Sequence, residues 1–177
     1  MPEKSILLYH PPMKGNLRNL TISMLLMFIL IPFLENDAVG FMVLNLILSA
    51  VLFFGILAVS YEKRNLIIAL VLGLPWLMVT WLEMLMPAPF FLILVSNISL
   101  IFFLSFTALV IFSFIVRSTK VNEDVLYGAV SLYLLLGGIW AIIYILTEIV
   151  HPGSFFIDPV HNIDGVVNWS DFFYYSF

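Results

Sequence analysis

All seven Lys and Arg residues of this chain lie on one side of a set of apolar spans. They are Lys4, Lys14, Arg18, Lys63, Arg64, Arg117 and Lys120. The spans are 17–34, 38–61, 66–82, 90–116 and 125–149. With the N-terminus counted as gap zero, the even-numbered gaps and their borders hold every cation and the odd-numbered ones hold none. A soluble core gives no reason for that sorting. A polytopic membrane protein does, because cytoplasmic loops collect Lys and Arg. The pattern predicts an all-α chain that crosses the cell's inner (plasma) membrane five times, with its N-terminus in the cytoplasm and the lipid bilayer as its main partner.

The rest of the composition agrees. Only 10% of the residues are charged and 63% are hydrophobic, against about 25% charged in an ordinary soluble domain. Seven of the eleven acidic residues (Glu35, Asp37, Glu83, Glu148, Asp158, Asp164, Asp171) fall on the outer side. There is no Cys, which excludes disulfides, thiolate metal sites and cysteine nucleophiles. No basic patch with interleaved aromatics points to nucleic acid. The first span follows a positive N-terminus but lacks a small-x-small cleavage site, so it reads as a retained helix.

Each span approaches the length of about 20 residues that a helix needs to cross the hydrocarbon core. The third is near the lower limit. The connections are short. Pro87 and Pro89 stop the third helix from running into the fourth. Asn122 is placed to cap the fifth helix, with Glu123 and Asp124 in a first turn that favours negative charge. After residue 149 comes a polar stretch with Pro152 and Gly153. A short aromatic segment follows: Trp169, Ser170, Asp171, Phe172, Phe173, Tyr174, Tyr175, Ser176 and Phe177. Asn168 or Ser170 can cap it as a helix.

A basic linker, a long helix, an outer loop and a short aromatic helix beginning with Trp form an ordered series. Residues 121–156 and 168–177 in that order resemble the outer helix, turret and pore helix of the potassium channel superfamily. They look most like bacterial members with a two-helix pore behind four other transmembrane helices. The resemblance is carried by Asp124-Val125-Leu126-Tyr127-Gly128-Ala129-Val130-Ser131-Leu132-Tyr133-Leu134-Leu135, Trp140-Ala141, Glu148 and Phe172-Phe173-Tyr174-Tyr175-Ser176-Phe177. It implies residues 1–116 as an N-terminal four-helix region, 117–124 as a cytoplasmic linker and 125–177 as a partial pore domain. That last part would hold an outer helix, an extracellular loop and the start of a re-entrant pore helix. It further implies a homotetramer, K⁺ as the conducted ion, no other cofactor, and passive conduction. The Thr-x-Gly-Tyr-Gly filter, whose carbonyls replace the ion's hydration shell, would come just after Phe177. The chain reads as cut before it.

Single residues are weighed against plainer roles. A voltage sensor needs Arg or Lys at every third position of the fourth helix, and 90–116 contains none. Asn45 and Asn97, the most polar side chains inside spans, read as interhelical hydrogen-bonding positions. Glu148 suits either a place behind the filter or the headgroup region, and Glu83 the interface. Asp158, His161 and Asp164, with His151, read as a solvated loop and not as a metal site. Gly137, Gly138 and Ala141 form a small-residue patch for close helix packing, which the resemblance places against an inner helix. Trp169 reads as an interfacial anchor, and Pro32 and Pro75 as sites of helix kinks. The spans carry no His, Lys, Asp or Arg in their interiors, so an enzyme is not expected. The other expectation is a five-helix accessory or transporter subunit without a pore of its own, its last aromatic stretch lying on the membrane surface.

Overall fold

The computed structural model describes residues 15–34, 38–155 and 168–177. It is all-helical. The helices are α1 (Asn16–Leu34), α2 (Ala38–Val59), α3 (Lys63–Glu83), α4 (Phe90–Arg117), α5 (Glu123–Val150) and the short α6 (Trp169–Tyr175). The first five are long and apolar enough to cross a membrane. Their outward faces carry large apolar side chains such as Ile29, Val71, Met78 and Leu109. That surface belongs in lipid, and the chain has the build of a multi-pass membrane protein.

The helices form a closed ring in which α1 packs on α2, α2 on α3, α3 on α4, α4 on α5 and α5 on α1. Short links make sequence neighbours antiparallel. One end of the bundle therefore collects the start of α1, the α2–α3 link and the α4–α5 link, with Arg18, Lys63, Arg64 and Arg117. The other end is free of Lys and Arg among the described residues. The Asn16 amide at the start of α1 donates to the Leu57 carbonyl near the end of α2 at 3.1 Å, which fixes this pairing.

Lipid tails are as apolar as Leu, so helices here associate through close packing and hydrogen bonds and not through the hydrophobic effect. Both devices are present. Phe103 of α4 is buried between Gly55 of α2 and Gly73 of α3. A Cβ at Gly55 would stand 3.0 Å from the tip of that ring, and one at Gly73 would stand 3.3 Å from its edge. Between α1 and α5, the buried Thr21 hydroxyl lies 2.7 Å from that of Ser131. It also lies 2.9 Å from the Leu17 carbonyl and 3.1 Å from that of Tyr127.

The third helix is longer than its apolar span. It begins at Lys63, so that 21 residues are helical and the crossing is no longer marginal. The Leu66 N–H donates to the Glu62 carbonyl, so the basic residues end the apolar pattern without ending the helix. Pro32 and Pro75 both lie inside helices. Asn122 does cap α5: its Oδ1 accepts the Val125 N–H at 3.0 Å, with Glu123 and Asp124 in the first turn. Asn122→Ala is expected to lower stability by about 1 kcal/mol through loss of this cap, measured by thermal melting in nanodiscs.

Candidate functional site

The segment of interest starts at the cation-free end and runs inward. Asn168 and Asp171 close a capping box at the start of α6, and Asp171 Oδ2 accepts the Asn168 N–H at 2.8 Å. This satisfies donors that a helix entering an apolar region would otherwise leave bare. Seven residues make no stable helix alone, so α6 depends on what it touches. Phe172 and Phe173 are buried. Phe173 meets Phe28 of α1 edge-on at 5.2 Å, and Phe172 meets Phe155, which in turn packs on Tyr144 of α5. Beyond the helix, the Phe177 ring stands against Phe28 and Tyr133. Phe177 also covers Gly137, where any Cβ would clash with the ring's outer edge.

The small-residue patch therefore divides between neighbours. Gly137 receives Phe177, Gly138 faces Leu104 of α4, and Ala141 is fully buried. Where the sequence suggested an inner helix against Gly137, an aromatic ring of the same chain stands. Glu148 also has a defined task. Its Oε1 accepts the Gly153 N–H at 2.7 Å and its Oε2 accepts the Ser154 N–H at 3.1 Å. The carboxylate holds the turn after α5, where Gly153 adopts φ +84. Trp169, Ser170, Tyr174, Tyr175 and Ser176 occupy the remaining positions of this segment, and Tyr174 and Tyr175 are exposed. Asp158, His161 and Asp164 lie outside the described residues. His151 is exposed, and no cluster of three metal-ligating side chains occurs among the described residues.

Behind the start of α6 lies a cavity of about 360 Å³. Its polar wall is made by Asn45, Thr80, Glu83, Ser96, Asn97 and Asn168. Neither Asn45 nor Asn97 makes the interhelical bond expected from the sequence. Asn97 Nδ2 donates to the Ile93 carbonyl of its own helix at 2.8 Å, a carbonyl that Ser96 also uses. Asn45 is 3% exposed and its Nδ2 has no partner. Both residues line the cavity, and neither bonds to a polar group of another helix. Thr80 and Ser96 escaped the sequence reading because hydroxyls inside membrane helices ordinarily bond to their own backbone.

No family model, curated protein or solved structure matches the chain.

Proposed function

We propose that this chain is the N-terminal five-helix portion of a potassium-channel-like cation channel, with α6 as its pore helix. One observation carries the reading. A seven-residue helix enters from the cation-free end, and the chain beyond it delivers Phe177 to Gly137, the fifteenth of the 28 residues of α5. At about 1.5 Å per residue, that point is roughly 20 Å from either end of α5, near mid-bilayer depth. Backbone that enters without crossing is tolerated at such depth only where protein buries it or water lines it. A helix ending there aims the negative end of its dipole at the middle of the membrane, which attracts a cation.

Two further features support the proposal. The exposed Tyr174 and Tyr175 give α6 an apolar face free for a neighbouring subunit or an inner helix, as four-fold assembly requires. The cation-rich end, taken as cytoplasmic, puts the start of α6 outside, in the cell's plasma membrane. Within α4 the only cation is Arg117, at its last residue, so the channel does not sense voltage through this helix.

The test joins genetics to topology. The coding sequence after the Phe177 codon is expected to hold a Thr-x-Gly-Tyr-Gly filter and another apolar span, and the full frame is expected to pass K⁺ into vesicles. A stop codon there, with a native mass near 20.2 kDa, would sink the proposal and leave the accessory-subunit reading. Because the chain has no Cys, single thiols report depth cleanly. Tyr174→Cys is expected to react with a membrane-impermeant maleimide far more slowly than His151→Cys. Equal rates would place α6 on the surface.

A further inference from the structure

The unpartnered amide of Asn45 has no use in ion conduction as described. A buried N–H without an acceptor costs free energy that surrounding packing does not return. The cavity thus calls for an acceptor from outside the chain. Its depth can be stated. Asn45, Asn97 and Trp76 each lie seven residues in from the cation-free ends of their helices, at Ala38, Phe90 and Glu83. That is about 10 Å below the rim at 1.5 Å per residue.

Glu83 marks the rim. It lines the cavity, and the only ion pair among the described residues, Arg64 with Glu62, is at the other end. Among the described residues no Lys, Arg or His lines the space, while Trp76 and Trp169 do. Side chains on helices lean toward the helix N-terminus. Helix α2 starts at this end and α3 finishes there, so Asn45 leans outward and Glu83 leans inward, toward one another.

We infer that this cavity binds a small amphiphilic ammonium compound. The cationic head sits at the rim, by Glu83 and the Trp169 indole, which attract it electrostatically. A carbonyl acceptor on the ligand takes the Asn45 Nδ2–H. Ile31, Leu44 and Ile145 surround its apolar part. The volume suits a small molecule or a single headgroup. The same chemistry is offered by a free amino ester and by a zwitterionic lipid headgroup. The inference needs neither a filter nor a tetramer.

Benzoylcholine is the probe, and 3,3-dimethylbutyl benzoate, with carbon in place of the cationic nitrogen, is its uncharged counterpart. Equilibrium binding of both is measured on the full chain in nanodiscs of digalactosyl diacylglycerol, a lipid without ammonium. Benzoylcholine is expected to bind saturably and about tenfold tighter than the uncharged ester. Glu83→Gln should abolish that preference without weakening the uncharged ester. Asn45→Leu should weaken both by about tenfold, through loss of the donor. Glu83 is on the rim, so its variant folds whatever becomes of Asn45→Leu, and melting curves check both. Equal binding of the two esters, or an unchanged preference in Glu83→Gln, overturns the inference and leaves a cavity holding water alone. If phosphatidylcholine nanodiscs depress benzoylcholine binding, the lipid headgroup is a source of the ligand. If they do not, a free amine is the ligand. Either outcome upholds the ammonium site.

Discussion

Phe103→Ala is expected to destabilise the bundle by about 3–5 kcal/mol, the range for removing a buried aromatic ring. The ring is 1% exposed and packs against two glycines on two other helices. Neither glycine has a side chain that can relax into the space, so the cavity stays open. Loss of the ring also removes the contact that joins α2, α3 and α4 at one point. Phe102→Ala, one residue away and 60% exposed, faces outward and is expected to change stability by no more than about 0.5 kcal/mol. Unfolding in mixed micelles with rising dodecyl sulfate measures both. Equal effects of the two substitutions would mean that the α2–α3–α4 seam is misplaced.

The second large effect concerns α6. Phe173→Ala removes the buried ring that meets Phe28. A seven-residue helix has little else to hold it, so a loss of about 3–5 kcal/mol is expected to undock α6 while leaving α1–α5 folded. Opening of a local unit is read directly by amide hydrogen exchange. Amides of 171–176 should exchange at least about a hundredfold faster, since each 1.4 kcal/mol is tenfold, with those of α1–α5 unchanged. Tyr175→Ala, on the exposed side, should leave exchange as it was in this chain. If Phe173→Ala leaves the α6 amides protected, the docking described here is not what holds the helix.

The five crossings were legible because cation sorting and span length are properties of the sequence in relation to the bilayer. The cap at Asn122 was legible too, since an Asx residue before an acidic first turn has a local meaning; for α6 the sequence left Asn168 and Ser170 open, and Asn168 is the cap. The ring order and the cavity were not. Ile29 and Ile31 are the same residue two positions apart, yet one is 60% exposed and the other 4%. Lipid accepts isoleucine as readily as a helix neighbour does, so hydropathy cannot sort the two faces. Lys63 shows the opposite failure: its charge lies outside the apolar pattern, yet the helix already begins there, three residues before the span. The seat of Phe177 on Gly137 joins positions forty residues apart, and small residues near aromatics carry no code for such pairings. Asn45 and Asn97 drew notice as polar side chains in apolar spans, but only the positions of α3 and α4 reveal a shared space before them.

Ring closure between α1 and α5 has a consequence for biogenesis. Thr21 and Ser131 are separated by 110 residues. At about 5–20 residues per second of synthesis, roughly 6–22 s pass between the making of the two. During that wait the Thr21 hydroxyl has the Leu17 carbonyl one turn behind it, 2.9 Å away, and is never bare. The first helix can therefore enter the membrane early, idle beside α2 without a polar penalty, and add a distant bond to the local one when the fifth crossing arrives. Assembly of the ring is a late step, set by the arrival of its fifth member.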